Sequence, residues 1–150
     1  MPAMINDMIT LPEEHLQYIS HESDGANLKI HIKSTNTEAI CPYCGTASNK
    51  IHSRCTRTLQ DLPIQGKKVK LLLAGRKYFC VNAQCDHKTF AEKFAFFEPN
   101  SARTKRLQKE ILRVALTQSS VSASKYLRDS VANIGKSAIC DMLKKEREKP

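Results

Sequence analysis

Two short pairs of cysteines are the residues of this chain best suited to chemistry. Cys41 and Cys44 are separated by two residues, and Cys80 and Cys85 by four. Two thiolates on one tight turn can both reach a metal ion at about 2.3 Å, and Gly45 suits such a turn because glycine accepts a positive φ. The spacing therefore predicts one Zn²⁺ held by these four cysteines. Because four thiolates fill a tetrahedron, the expected zinc is structural and not catalytic.

The residues alone leave other interpretations of these cysteines open. The four could be unrelated buried cysteines, or the C-x-x-C pair could be a redox centre, although that use needs a βαβ context and this region has the pattern of hairpins. His52, Cys55 and His87 lie close by in sequence, and each could replace one cysteine as a ligand. Cys140, farther along the chain, is expected to be a small core residue.

The elements that position the pairs are predicted from period-two patterns. Apolar residues alternate with polar ones over residues 28–32, and residues 15–20 can pair with them across the turn-forming dipeptide at 24–25. A second alternating run begins at Val69 and continues to Cys80, preceded by an expected turn over residues 63–66. The two cysteine pairs are therefore expected at strand ends.

The C-terminal third has a helical pattern instead. Apolar residues at helical spacing predict three helices. The first covers residues 102–117, the second is short and begins after a cap at Ser122, and the third covers residues 136–145. A turn is expected over residues 129–135. Ala123, Tyr126, Leu127, Ile139, Met142 and Leu143 are expected to face inward. Two short helices around a tight turn predict a helix-turn-helix, although an ordinary helical hairpin with a solvated basic face has the same periodicity. The outward face of the last helix is expected to carry Lys136, Ser137, Ala138, Asp141 and Lys144.

Charge points to a polyanionic partner. The 150 residues carry 24 Lys and Arg against 15 Asp and Glu, a formal charge of +9, which favours nucleic acid over a merely basic soluble protein. Residues 1–40 hold two basic and six acidic residues (−4), residues 41–97 ten and three (+7), and residues 98–150 twelve and six (+6). The acidic first segment is therefore not expected to bind a polyanion, whereas the other two are.

These patterns together predict an α+β protein, a small β-rich zinc ribbon followed by a three-helix helix-turn-helix module. Residues 1–40 are expected to form an N-terminal β arm packing on the ribbon, residues 41–97 the zinc ribbon, and residues 98–150 the helix-turn-helix. Aromatic residues are only 6% of the chain and Trp is absent, so the metal is expected to replace a core that the ribbon lacks. With no run of about 18 apolar residues and no signal peptide, a cytoplasmic location is expected.

Several further motifs follow one another along the chain: Cys41 to Gly45, His52 to Arg57, Asp61 to Gly66, Arg76 to Cys80, Cys85, and Thr89 to Glu92. In this order they resemble the N-terminal zinc-binding region of bacterial insertion-sequence transposases of the ISL-three group. The downstream helices resemble the helix-turn-helix of those transposases. The resemblance implies that the zinc cysteines are the four already chosen by spacing.

The resemblance also implies binding to the terminal inverted repeats of a mobile element. A full-length relative would continue into a ribonuclease-H-like domain with a DDE carboxylate triad, which is not expected in this chain, so no catalysis is expected. We expect double-stranded DNA as the partner, a homodimer as one compatible arrangement, no membrane association, and a cytoplasmic, nucleoid-associated protein. The alternatives are a stand-alone transposase-derived regulator such as a repressor, and a zinc-ribbon protein-interaction module. The expected DNA-binding residues are Lys136, Ser137, Asp141 and Lys144 on the last helix, and Lys70, Arg76, Arg54 and Arg57 on the ribbon.

Overall fold

The structure is a computed structural model and describes residues 10–148. Over these described residues the protein is α+β, with a large β-sheet, a small β-hairpin and three helices. The strands are β1 (Leu16–Ser23), β2 (Asn27–Ser34), β3 (Ala39–Ile40), β4 (Ala47–Ser48), β5 (Ile51–Ile64), β6 (Lys67–Phe79) and β7 (Thr89–Ala91). The helices are α1 (Lys105–Ala115), α2 (Ser120–Ser130) and α3 (Lys136–Glu148). No helix within residues 10–148 is long and apolar enough to cross a membrane.

The large sheet has the strand order β1-β2-β6-β5, with β7 pairing the end of β6. β1 and β2 form the predicted antiparallel hairpin across Asp24 and Gly25, and β6 follows the predicted run. β2 pairs with β6 in parallel, from Asn27 beside Lys68 to Lys33 beside Ala74. β3 and β4 form a separate hairpin that carries the first cysteine pair.

The sheet buries one face. Ile30 and Ile32 on β2 and Leu71 and Leu73 on β6 are almost wholly inaccessible, and the alternation that predicted them is confirmed. Leu59 of β5 completes this row of aliphatic side chains. The cluster also contains Leu16, Leu28, Val69, Phe96 and Phe97. The sheet therefore has an apolar core of its own, independent of the metal end.

β5 is the main element that sequence patterns missed. Its 14 residues pair with β6, and the expected turn over 63–66 is confined to Gln65 and Gly66, whose φ angles are 50° and 77°. Two successive positive φ values match the favoured two-residue hairpin turn. Pro63 lies where the register shifts between Asp61 and Ile64, a position that tolerates a residue without an N–H.

The three predicted helices are present, with corrections at particular residues. The cap of α2 is Ser119, not Ser122: its Oγ accepts a hydrogen bond from Ser122 N at 3.2 Å. Tyr126 was expected inward but is 47% exposed, because the inward face of α2 is centred on Ala123, Ser124 and Leu127.

The inward face of α3 also differs from the expectation. It contains Ala138 together with Ile139, Met142 and Leu143, so the expected outward position of Ala138 is wrong. Cys140 lies outside this face and is exposed, so it is not a core residue.

The helices dock on β5. Buried Asp61 accepts hydrogen bonds from Thr104 Oγ1 at 2.7 Å and Arg106 Nε at 2.8 Å, and Leu62 packs against the helical core. The backbone of Gln60 pairs with residues 102–104 just before α1. These contacts hold the segment just before α1, and the start of α1 itself, against the sheet.

Candidate metal centre and nucleic-acid interface

The first cysteine pair lies on the turn between β3 and β4. Gly45 N donates to Cys41 O at 2.8 Å, and Cys41 N donates to Thr46 O at 2.9 Å. Gly45 has a φ of 77°, the left-handed conformation expected of it. The turn thereby holds Cys41 and Cys44 close together.

The second pair lies in the loop that follows β6. Cys80 N donates to Lys88 O at 2.9 Å, which closes the loop at its base. Asn82 organises the interior: its Oδ1 accepts from Gln84 N at 3.0 Å, and its carbonyl accepts from Cys85 N at 3.1 Å. An asparagine that bonds its own backbone neighbours in this way is a common turn former.

The two loops bring the four cysteine sulfurs together. All four Sγ atoms lie within 4.8 Å of one another, with 3.5 Å between Cys44 and Cys80 and 4.0 Å between Cys41 and Cys85. A tetrahedron with metal–sulfur distances of about 2.3 Å has sulfur–sulfur edges of about 3.8 Å. A disulfide would require about 2.05 Å, and these cysteines form none. The donor set and its spacing fit one zinc ion.

The thiols influence one another's ionisation. Hydrogen bonds from the side chain and then the backbone of Thr46 lower the pKa of Cys44 to about 6. The pKa of Cys80 is raised to about 12: a hydrogen bond from the backbone of Asn82 lowers it, but burial and the neighbouring thiols raise it more. Four adjacent thiolates repel one another, and a divalent cation between them offsets that repulsion.

The other candidate ligands make different contacts. The His87 ring stacks on Tyr43, with 3.4 Å between ring centroids and 6° between planes. The His52 ring lies edge-on to the Phe79 ring, with 4.9 Å between the ring centroids. Cys55 borders a cleft of about 410 Å³ on the sheet. Within residues 10–148, the grouped metal-ligating atoms are those of the four cysteines, and His52, His87 and Cys55 are not among them.

A small apolar cluster supports this metal end. Tyr78 at the end of β6 and Phe90 on β7 are buried with Cys41, and their rings stack with centroids 5.8 Å apart. The cluster is separate from the cores of the sheet and the helices. Loss of the metal should therefore affect this end first.

The expected DNA-binding residues of the last helix share one exposed side of α3. Lys136, Ser137, Asp141 and Lys144 are all exposed, whereas Ile139 is fully buried against the other helices.

The four basic residues of the ribbon separate into two groups. Arg57 donates from Nη1 to Pro99 O and from Nη2 to Ser101 O, each at 2.9 Å, and its guanidinium lies 5.1 Å from the Phe97 ring centroid. Arg76 Nη1 donates to Asn36 O at 2.8 Å. These two side chains position loops of the protein itself.

Lys70 and Arg54 form the second group. Both are exposed, on the face of the sheet opposite its core. They remain available to a partner.

A connection between sheet and helices was missing from the sequence interpretation. Asn133, in the turn between α2 and α3, is bonded to Gln60 of β5 and to Lys68 Nζ, the latter through its Oδ1 at 3.0 Å. Single polar residues far apart in sequence give no periodic signal, so nothing in the sequence pairs them. The contact fixes the start of α3 against the sheet.

The metal end is similar to a known protein family. Residues 37–85 match the family described as zinc-finger of transposase IS204/IS1001/IS1096/IS1165. This segment is therefore similar to an ISL3-type transposase zinc-ribbon region, and its four adjacent cysteines are consistent with one structural zinc ion.

The sequence of one known transposase is similar to part of this chain. The transposase for insertion sequence element IS1001 of Bordetella parapertussis is 32% identical over 59 residues, which are 39% of this chain and 14% of that protein. The chain thus matches about one seventh of the length of that relative. No solved structure gives a match. The family match ends before the helices.

Proposed function

We propose that this protein binds double-stranded DNA through a helix-turn-helix formed by α2, the turn at residues 131–135, and α3. The turn is well packed: Val131, Ala132 and Ile134 are all buried. Val131 N and Ala132 N both donate to Leu127 O at 2.8 Å, which closes the end of α2. The angle between α2 and α3 is thereby fixed by core contacts.

The exposed side of α3 is the observation that carries this proposal. It offers two lysines, Lys136 and Lys144, with the small polar Ser137 and the acceptor Asp141 between them. Lysine can donate to guanine edges and phosphates, and an aspartate can accept from cytosine. An α-helix with such a face fits the major groove, which is about 12 Å wide.

The zinc ribbon supports the DNA-binding body in this proposal. We assign Cys41, Cys44, Cys80 and Cys85 as the ligands of one Zn²⁺, whose closed tetrahedral coordination serves folding. Residues 41–97 then act as the ribbon, residues 98–150 as the helix-turn-helix, and residues 1–40 as an arm built onto the ribbon.

The transposase match suggests which DNA is bound. We infer that the target is the terminal inverted repeat of an insertion sequence, read by a protein of the bacterial nucleoid. A homodimer would suit two ends brought together. The described residues have a binding role in this proposal and not a catalytic one. A stand-alone regulator derived from a transposase would use the same contacts.

A second function is favoured by one feature of the metal end. Five large apolar side chains there are exposed: Ile40, Tyr43, Ile51, Phe79 and Val81. Exposed apolar groups of this kind can mark a protein-interaction site. The second candidate is therefore a zinc-ribbon module that docks a protein partner.

Selection from a pool of randomised duplexes separates the two candidates. DNA readout by α3 predicts an enriched motif for the wild type. Lys136→Ala or Lys144→Ala should each lose roughly 1–3 kcal/mol of binding and relax the preference at one position. Lys109→Ala on α1 is the matched control and should keep both affinity and motif. If no duplex is enriched by any of these proteins, the interaction module becomes the better interpretation.

A further inference from the structure

We propose that the exposed face of the large sheet and the start of α3 form one continuous phosphate-binding surface. This open face is the side of β2, β5 and β6 opposite the apolar core. The inference rests on the proposed DNA binding and identifies a second part of the same interface. It brings in Lys29 and Lys33, from the segment whose net charge is negative.

Strand register places the cations of the open face together. Lys29 of β2 lies directly beside Lys70 of β6, and Lys33 lies beside Ala74 farther along the same two strands. Neighbouring strands are about 4.8 Å apart, so the backbones of Lys29 and Lys70 are at that spacing. Arg54 of β5 projects from the same face. All four cations are exposed.

Like charges side by side on a sheet are unfavourable unless an anion compensates them. Glu22 is the carboxylate beside Lys29 in register, and it lies 3.6 Å from His31 Nε2. Within residues 10–148, Lys33 and Lys70 form no ion pair. At Lys33 and Lys70 the open face therefore carries positive charge with no paired carboxylate among the described residues, which suits a row of phosphates.

The open face is also uncovered and largely polar. The buried apolar residues of the sheet point to the other side, where Phe96 and Phe97 pack against them. On the open side, Thr56 and Thr58 of β5 are exposed and Leu72 is half-buried. A face with charges and hydroxyls offers hydrogen bonds to an anionic backbone and little apolar area for a protein partner.

The turn before α3 meets this face at its edge. Gln60 lies beside Lys70 in register, and its side chain bonds Asn133, as does Lys68. Lys136 follows Asn133 by three residues, so their Cα atoms are within about 11 Å. The lysine that begins α3 therefore lies close to the lysines of the sheet.

Net charge summed over residues 1–40 conceals this arrangement because Glu13 and Asp24, two acids of that segment, bind backbone N–H groups. Glu13 Oε1 accepts from the backbone N–H of Ala95 and, at 2.9 Å, of Phe96, beside the core. Asp24 Oδ1 accepts from Asn27 N in the β1–β2 turn at 2.8 Å. The lysines of β2 thus belong to a basic face although their segment is acidic.

The salt dependence of DNA binding tests the composite surface. The test protein is Lys29→Gln/Lys70→Gln, and the matched control is Lys88→Gln/Lys109→Gln, two exposed lysines outside the open face and α3. Dissociation constants are measured for a selected duplex and an unrelated duplex between about 50 and 200 mM salt. Each phosphate contact contributes about 0.9 to the log–log slope, so the test protein should have a slope shallower by about 1.8.

The affinity of the test protein should also fall by the same factor for both duplexes, because phosphate contacts do not read sequence. The control should match the wild type. If the test protein keeps the slope and affinity of the control while the wild type still selects a motif, the composite surface is rejected and DNA binding by α3 stands. If the wild type binds neither duplex, the proposed function fails and this inference fails with it.

Discussion

The side-chain amide of Gln60 on β5 forms two hydrogen bonds with the backbone of Asn133 in the turn before α3. Asn133 N donates to Gln60 Oε1 at 2.8 Å, and Gln60 Nε2 donates to Asn133 O at 3.2 Å. One side chain thus satisfies both backbone groups of a turn residue, much as a neighbouring strand would. The relationship fixes the proposed recognition helix relative to the sheet.

Gln60→Ala should lower both the stability of the protein and its affinity for DNA. Removing two hydrogen bonds at a partly exposed site should lower the free energy of unfolding by about 1–2 kcal/mol. DNA affinity should fall as well, because α3 would no longer be held in a fixed position relative to the sheet. The base preference should not change. Urea denaturation and duplex titration measure the two effects.

Gln118→Ala, an exposed glutamine in the α1–α2 loop, is the control for this prediction. It should change neither quantity. Reduced stability of Gln60→Ala with wild-type DNA affinity would show that the contact is structural only.

Asp61 should be the most sensitive polar residue of the junction between sheet and helices. Its side chain is 2% exposed and accepts from Thr104 and twice from Arg106. This hydrogen bonding also raises the pKa of Arg106. Asp61→Asn places an amide against the guanidinium, and since Arg106 is one-third exposed we expect a loss of about 2–3 kcal/mol, below the range for fully buried pairs.

The matched control for Asp61 is a surface ion pair. Glu110 and Arg113 are joined on α1 at 2.6 Å, three residues apart. Glu110→Gln should cost less than about 0.5 kcal/mol. Equal destabilisation of the two variants in urea would show that Asp61 does not hold the helices to the sheet.

Zinc removal should unfold one end of the molecule and not the whole. The apolar cores of the sheet and of the helices contain none of the four cysteines, whereas Tyr78 and Phe90 pack with them. Structural zinc contributes on the order of 10 kcal/mol in small modules, so Cys80→Ser should lose the metal and disorder residues 39–48 and 80–91. Hydrogen exchange by mass spectrometry would show fast exchange there and continued protection in β2 and α1.

Two further variants test the ligand set. Cys55→Ser and His87→Ala should each keep one zinc per chain by elemental analysis. Loss of zinc in either would mean that the four sulfurs are not the ligand set. Global loss of protection in Cys80→Ser would instead restore the expectation that zinc replaces a missing core.

Local patterns predicted the elements that have a regular signal. The alternation in β2 and β6 is clear because one side of each strand faces the apolar core. The cysteine pairs were predictable because short loops alone bring two sulfurs together. The inward-facing sides of α2 and α3 were predicted only approximately, because a few apolar residues do not define the centre of a helix face. Tyr126 and Cys140 were expected inside and are exposed.

Features that depend on distant pairings were not predictable. β5 lacks the pattern of a half-buried strand because its inward positions include Arg57 and Asp61, which bond the helical region instead of filling the core. The parallel pairing of β2 with β6 joins residues about 40 apart in sequence, and neither strand encodes its neighbour. The open basic face follows from that pairing, so charge counted along the chain could not reveal it.

An NMR titration of ¹⁵N-labelled, zinc-loaded protein with its selected duplex tests the central claim most directly, since a chain of 16.9 kDa gives resolved amide signals. We expect the largest shifts at Lys136 to Lys144 on α3 and at Lys29, Lys33 and Lys70 on the open face, with the cysteine loops unchanged. Shifts confined to the loops at 41–46 and 80–88, or no shifts at all, would contradict DNA binding by this surface.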